Sequence, residues 1–105
     1  MYQITTKLTR PSTDVKFYSI MNTDDESVAF RRHWDITYKS TGKSMLVDSN
    51  LSEDALTMTT IMIWDSQASF DEAMADPVVI TKWAIRKQYN IANGIVLSDR
   101  IVETT

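Results

Sequence analysis

The order of structural signals over residues 56–94 constrains the fold more than any other feature of this chain. A strand-like apolar run ends at Trp64, and Ser66 follows it as a residue type that caps helices. An amphipathic stretch then leads to Asp76-Pro77, which suits the start of a second helical segment because proline has no amide to leave unpaired in a first turn. Gly94 ends that segment. This order predicts a strand, a helix in two pieces and a return strand.

The first half of the chain predicts a strand followed by a helix. Residues 2–8 alternate between apolar and polar side chains, as in a strand with one buried face. Residues 22–26 supply capping and acidic side chains for a helix that continues to Ser40 and ends at Gly42. Residues 15–21 are apolar but mixed, and they are compatible with an extended arm. The predicted inner face of the helix has apolar side chains at helical spacing: Val28, Phe30, Trp34, Ile36 and Tyr38.

The remaining segments complete a four-stranded domain. Residues 45–51 and 55–64 predict two strands joined by a polar turn, and therefore an antiparallel hairpin, while residues 95–102 predict the last strand. The order β-α-β-β-α-β predicts one α+β domain over residues 1–105 with the ferredoxin-like topology, an antiparallel sheet with its helices on one face. The side chains predicted to face the core from the two helix pieces are Phe70, Ala73, Met74, Ile80, Ala84 and Ile91.

The strand predicted at residues 55–64 has bulky apolar side chains on both faces. Leu56, Met58, Met62 and Trp64 share one face, and Ile61 and Ile63 occupy the other. A strand that is apolar on both sides is usually covered on both sides, yet this chain has helices for one face only. The sequence therefore predicts a homodimer in which a second copy covers the open face.

Composition excludes several classes of function. The net charge of -3 gives no basic surface for a phosphate backbone, so nucleic acid is not an expected partner. The chain has no cysteine, which excludes disulfides and sulfur-ligated metals and favours a cytoplasmic location. No apolar run approaches the roughly 20 residues that span a bilayer, and the first residues do not resemble a signal peptide. Membrane association is therefore not expected.

Three segments of the second half form a pattern: residues 61–70 (IMIWDSQASF), Asp76-Pro77 and residues 89–95 (YNIANGI). This pattern resembles the dimeric α+β barrel superfamily, in particular its antibiotic-biosynthesis-monooxygenase-like domains. In that family the third strand ends in an aromatic residue and a small capping residue, and a broken helix leads to strand four. The resemblance implies two sheets paired across a twofold axis and a pocket between each sheet and its helices. Some members oxidise polycyclic aromatic compounds without metal or prosthetic group, some cleave haem, and some have no assigned reaction.

The chain departs from the haem-cleaving branch of this family. That branch relies on an asparagine in the first strand, the tryptophan that closes strand three and a histidine in the second helix. Trp64 matches the tryptophan, but residues 2–8 contain no asparagine and residues 66–93 contain no histidine. The resemblance therefore implies no haem, and neither a metal nor another cofactor is expected from the spacing of potential ligands.

Few residues qualify as functional candidates. His33 is the sole histidine and hence the candidate for proton transfer near neutral pH. The favoured interpretation is a partly exposed helix residue near acidic neighbours, because a lone histidine lacks the oriented partner that catalysis needs. A flat ligand could be framed by the large aromatic side chains, which are also the expected material of a core: Trp34, Tyr38, Trp64, Trp83 and Tyr89.

Two hypotheses about function follow from these candidates. The first is a small-molecule-binding domain, or a cofactor-independent monooxygenase-like domain, that acts on an apolar or aromatic compound. The alternative is a dimeric structural or interaction protein without enzymatic activity. A sealed core around Trp64 would favour the alternative, whereas an open cavity with His33, Tyr38 or Tyr89 converging on it would favour the first hypothesis.

Overall fold

The computed structural model describes residues 1–18 and 24–105 and has the predicted element order. The strands and helices are β1 (Tyr2–Thr9), α1 (Asp25–Trp34) with a π-helical extension (Asp35–Lys39), β2 (Ser44–Leu51), β3 (Thr57–Trp64), α2 (Gln67–Ala75), α3 (Pro77–Ala92) and β4 (Val96–Thr104). The ferredoxin-like α+β fold is confirmed. No helix in the described part of the chain is both long and apolar enough to cross a bilayer.

The four strands form one antiparallel sheet in the order β2-β3-β1-β4. Tyr2 lies opposite Trp64 and Ile4 opposite Met62, and these side chains face the helices. Because side chains alternate along a strand, Thr5 and its partners Ile61 and Ile101 face the other way. The predicted β2-β3 hairpin is confirmed, and the sheet presents one face to the helices and one open face.

The core is an aromatic cluster between one end of the sheet and the helices. Trp64 is fully buried and Tyr38 and Trp34 are nearly so. The Trp64 ring centroid lies 5.4 Å from that of Trp34, 5.8 Å from Tyr38 and 5.9 Å from Phe70, all in edge-to-face geometry. Such contacts add stabilisation beyond burial of area, on the order of 1 kcal/mol per pair. This cluster fixes the helices on the sheet.

The helices begin at the capping residues that the sequence indicates. The Ser66 hydroxyl accepts a hydrogen bond from the Ser69 amide at 3.2 Å, and the Asp76 carboxylate accepts one from the Val78 amide at 3.0 Å. Both predicted caps, and the break in the helix at Pro77, are confirmed. Asp24 caps α1. Residues 22 and 23, the first two of the predicted helix start at residues 22–26, lie outside the described residues.

Part of the predicted helix faces is wrong. Phe30, Trp34 and Tyr38 face the core from α1 and its extension, as expected. Five other side chains that the periodicity placed inward are exposed: Val28, Ile36, Ile80, Ala84 and Ile91. The inner side of α3 instead carries Val79, Lys82, Trp83 and Arg86. Two long basic side chains on that side interrupt its apolar pattern, so the spacing of Ile80 and Ala84 predicted the wrong face.

Arg10 anchors the segment before α1 to the hairpin. Its guanidinium donates two hydrogen bonds to the Ala55 carbonyl, at 2.9 and 2.7 Å, and one to the Val15 carbonyl at 3.0 Å. Phe17 is buried against this guanidinium. The described part of the predicted arm is therefore packed on the domain, while residues 19–21 of it lie outside the described residues. Ala55 belongs to the loop, with φ of 62°, and not to β3 as predicted.

Candidate ligand-binding site

Within the part of the chain that the structure describes, two cavities lie between the sheet and the helices, with volumes of about 480 Å³ and about 550 Å³. We call them the β2-side cavity and the β4-side cavity, after the edge strand that each reaches. They share Met62, Trp83 and Arg86, so these side chains form the wall between them. Both volumes fall within the range of about 300–1,000 Å³ that is typical of small-molecule sites. Their positions follow from α3, whose inner side chains do not fill the space above the sheet.

The β2-side cavity combines aromatic side chains with charges of both signs. Its lining consists of Tyr18, Phe30, Arg31, Trp34, Asp35, Lys39, Ser44, Met45, Leu46, Val47, Met62, Lys82, Trp83 and Arg86. Lys82 is almost fully buried, and its ammonium donates a hydrogen bond to the Ser27 hydroxyl at 2.6 Å. The same ammonium lies 5.0 Å from the Tyr18 ring centroid. This lysine therefore belongs to the packing between α1 and α3.

The β4-side cavity has an apolar body and only positive charges. Its lining consists of Ile4, Thr6, Leu8, Met58, Thr60, Met62, Phe70, Met74, Trp83, Arg86, Lys87, Asn90, Ile91, Ile95, Leu97 and Arg100. No carboxylate is present in this set. A negatively charged ligand would meet no like charge among these side chains.

Arg86 occupies the wall between the cavities. Its guanidinium carbon lies 4.3 Å from the Trp83 ring centroid, within the range of a cation–π interaction. Burial lowers the pKa of this guanidinium from its usual value. Among residues 1–18 and 24–105 no carboxylate lies within ion-pair distance of it. Arg86 is thus a partly buried cation whose described contact is an aromatic ring.

His33, Tyr38 and Asp76 form a polar cluster away from both cavities. His33 Nε2 lies 2.6 Å from Asp76 Oδ2, and the Tyr38 hydroxyl donates to the same oxygen at 2.6 Å. The other Asp76 oxygen caps α3. This one carboxylate therefore ties α1 and its extension to the junction between α2 and α3.

The cluster shifts the pKa values of two of its members. Burial alone would raise the pKa of Asp76, but hydrogen bonds from His33, Tyr38 and the Val78 amide together hold it below its usual value. Burial, and then the hydrogen bond to the Asp76 carboxylate, raise the pKa of the Tyr38 phenol far above its usual value. Asp76 is therefore ionised and Tyr38 protonated near neutral pH.

The candidates from the sequence fall into separate places. Trp34 and Trp83 line the cavities. Trp64 and Tyr38 lie in the packed core and His33 in the polar cluster, and none of these three lines either cavity. Tyr89 also lines neither cavity, because its ring packs against Tyr18 at 5.5 Å and its hydroxyl donates to the Lys16 carbonyl.

Arg86 is the site residue that the sequence analysis missed. A usable signal existed, because Arg86 follows Val79 by seven residues and Trp83 by three, which is the spacing of one helix face. The net charge of -3 gives no reason to expect a cation inside the domain, so the charge pattern does not point to this position. Within the described residues, no group of three histidine or carboxylate side chains is arranged to hold a metal ion.

Comparison with known proteins identifies the fold. No protein-family profile and no curated protein matches the sequence. A candidate antibiotic biosynthesis monooxygenase from Deinococcus radiodurans is similar over 100% of this chain and 92% of its own, with a TM-score of 0.58 and 10% identity. A counterpart from Chloroflexus aurantiacus has a TM-score of 0.51, 13% identity and coverage of 99% and 91%. Rv0793 from Mycobacterium tuberculosis has a TM-score of 0.53, 14% identity and coverage of 100% and 95%. The chain has the fold of these three proteins, two of which are named as antibiotic biosynthesis monooxygenases, as its sequence pattern indicated.

Proposed function

We propose that this protein binds an apolar, aromatic small molecule in the space between its sheet and its helices. The observation that carries the proposal is the pair of cavities on either side of Trp83. A ring that stacks on Trp83 would gain both burial of apolar area and aromatic contact. Met45, Met58 and Met62 line the surrounding walls, and their flexible side chains adapt to ligand shape.

Monooxygenase-like chemistry on the bound compound is the second candidate function. It is favoured by the names of the similar structures from Deinococcus radiodurans and Chloroflexus aurantiacus. A cofactor-independent reaction of this kind takes all its electrons from the substrate. An activated methylene becomes a carbonyl with one atom of dioxygen, and the other oxygen atom leaves as water with the two hydrogens. Oxygen uptake on addition of anthrone, compared with a protein-free control, tests this candidate, and uptake equal to the control would contradict it.

The alternative hypothesis, a dimeric structural or interaction protein, is supported by the packing of the core. Trp64 is sealed, and neither His33 nor Tyr38 converges on a cavity, which is the arrangement expected of a domain that serves to dimerise. That alternative does not explain the cavities beside Trp83. Binding therefore decides between the two hypotheses.

Calorimetric titration with 1-naphthol tests the binding proposal. We expect saturable binding that weakens when a cavity is filled, by Val47→Trp on the β2 side or Met58→Trp on the β4 side. Ala84→Trp is the matched control because Ala84 is exposed on α3 and lines neither cavity. Absence of saturable binding to the unaltered protein would overturn the proposal and favour the structural alternative.

We also propose that two copies pair through their open sheet faces. Ile61 and Ile101 flank Thr5 on that face, where helices of the same chain do not reach. Light scattering at micromolar concentration should give the mass of a dimer. Ile61→Asp should yield a monomer, while Ile36→Asp, on an exposed helix surface, should not. A monomeric unaltered protein would contradict the pairing.

The cytoplasmic location predicted from the sequence is part of the same proposal. It is supported by the absence of cysteine, since a reducing compartment gives no use for disulfides. Fractionation of the source cells tests it. Recovery of the protein outside the cytoplasmic fraction would contradict it.

A further inference from the structure

We propose that the β4-side cavity selects compounds whose apolar body carries an acidic group, such as an aromatic carboxylate, and that Arg86 binds this group. The inference rests on the proposed binding function and names the chemical class of the ligand. It adds a recognition element that the fold alone does not supply.

The distribution of charge is the first observation. The chain as a whole is acidic, with a net charge of -3, yet the charged side chains that line this cavity are Arg86, Lys87 and Arg100. A cleft lined by one sign of charge, with apolar walls, concentrates ligands of the opposite sign. The β4-side cavity is therefore a positive site on a negative protein.

The second observation is the state of Arg86. A partly buried guanidinium normally has a carboxylate partner, because an unpaired charge is unfavourable away from water. Within residues 1–18 and 24–105, Arg86 has no such partner and lies against the Trp83 ring. A ligand carboxylate would accept two parallel hydrogen bonds from the guanidinium and supply the missing charge.

The third observation is that the cations come from opposite walls. Arg86 and Lys87 belong to α3, whereas Arg100 belongs to β4 and pairs in register with Thr6, which also lines the cavity. An acidic group that enters between the helix and the strand would meet positive charge from both elements. This arrangement would orient the ligand, with its acidic end near Arg86 and its apolar body toward the sheet.

The rest of the lining suits the body of such a ligand. Apolar side chains come from the sheet, including Ile4 and Met58, and from α2, including Phe70 and Met74. Trp83 closes the side toward the β2-side cavity. That second cavity includes Asp35 in its lining, whereas the β4-side cavity has no carboxylate. An acid is therefore expected on the β4 side.

The test compares 2-naphthoate with its neutral amide, 2-naphthamide, by calorimetric titration of the intact protein. The two compounds share one ring system, so a difference in affinity reports the charge. We expect 2-naphthoate to bind at least about tenfold more tightly, since hydrogen bonds between charged groups exceed neutral ones by that order.

Variants at the cations locate the effect. Arg86→Met should weaken 2-naphthoate binding by about tenfold or more while leaving 2-naphthamide binding nearly unchanged. Arg86→Lys keeps the positive charge without the planar guanidinium. Its affinity for 2-naphthoate should therefore fall between those of the unaltered protein and Arg86→Met. Arg32→Met is the matched control, because Arg32 is exposed on α1 and lines neither cavity. Circular dichroism confirms that each variant is folded, and Arg100→Met provides a second site in case Arg86→Met does not fold.

The outcomes separate this inference from the function on which it rests. Equal affinity for the two compounds would overturn the acidic-ligand inference and leave aromatic binding intact. Tighter binding of 2-naphthoate that neither Arg86→Met nor Arg100→Met weakens would also overturn it, because the charge would then be recognised elsewhere. If none of 2-naphthoate, 2-naphthamide and 1-naphthol binds, both the inference and the proposed function fail.

Discussion

Two tryptophans between the sheet and the helices have different surroundings. Trp64 is fully buried among the rings of Trp34, Tyr38 and Phe70. Trp83 also contacts Trp34, at 6.0 Å, but it lies over Arg86 and lines both cavities. Trp64 and Trp83 both contact Trp34, yet Trp64 belongs to a sealed core and Trp83 to an open site.

The difference comes from the neighbours and not from the tryptophans themselves. Ser66 starts α2 just after β3 ends, so Phe70 and Ala73 close over Trp64. On α3, Lys82 and Arg86 take inner positions where apolar side chains would otherwise fill the space. Long basic side chains direct their charged ends toward polar groups or solvent, and they cannot pack as a dry layer. Aromatic side chains therefore stabilise the fold around Trp64 and leave room for a ligand around Trp83.

The largest expected effect is the loss of stability in Trp64→Ala. Removal of this indole from a packed site should lower the free energy of unfolding by about 3–5 kcal/mol. Urea denaturation followed by circular dichroism measures it. A loss below about 1 kcal/mol would mean that the ring is not in a sealed core, because exposed positions tolerate truncation.

Asp76→Asn should have the next largest effect, because it weakens the contact between α1 and the α2-α3 junction. Three groups donate hydrogen bonds to this carboxylate, so we expect a loss of about 1–3 kcal/mol near neutral pH. Asp71→Asn, at an exposed position on α2, should change stability by less than about 0.5 kcal/mol.

The same variant has a pH dependence of known sign. The pKa of Asp76 is lowered in the folded protein, so its ionised form stabilises the fold above the unfolded-state pKa of about 3.9. This stabilisation is lost as the pH falls through the folded-state pKa. The difference between the unaltered protein and Asp76→Asn should therefore shrink below about pH 4. A difference that grows on acidification would show that the carboxylate is not ionised in the folded state.

Trp83→Ala should separate stability from binding. Part of the volume around this ring is already open, so the loss of stability should be about 1–2 kcal/mol, less than for Trp64→Ala. Affinity for 1-naphthol should fall in this variant. Equal losses of stability in Trp64→Ala and Trp83→Ala would remove the distinction between core and site.

Arg86→Met should have the smallest effect on stability. Within the described residues this partly buried cation has no carboxylate partner, so its removal relieves desolvation, while methionine keeps contact with Trp83. We expect a change within about 0.5 kcal/mol, of either sign, in urea denaturation. A loss above about 2 kcal/mol would indicate that Arg86 serves the fold and not a ligand.

Local signals were sufficient for the fold. Ser66, Asp76 and Pro77 each act within one or two turns of their own helix, so their roles can be inferred without knowledge of distant residues. Alternation along residues 2–8 identified the strand that lies between β3 and β4. The strand order follows because short connections leave few arrangements for four antiparallel strands.

The candidate site depended on contacts that local signals do not encode. The aromatic candidates predicted from the sequence include Trp34 and Trp83, which line the cavities, as well as Trp64 and Tyr38, which lie in the core. All four are large aromatic side chains at apolar positions, so composition cannot separate them. The exposure of each ring depends on which side chains of other elements pack against it. The contact between His33 and Asp76 likewise joins residues that are 43 positions apart in the chain.

Interactions between residues near one another in the chain set the elements, their order and the caps that separate α2 from α3, so these features can be inferred from the residues alone. Which face of α3 lies inward, and where space remains above the sheet, becomes visible only once the chain is folded. These features depend on packing among side chains from several elements at once. The placement of Lys82 and Arg86 between helix and sheet depends on Ser27, Trp83 and the strands beneath them, and no single segment contains that information.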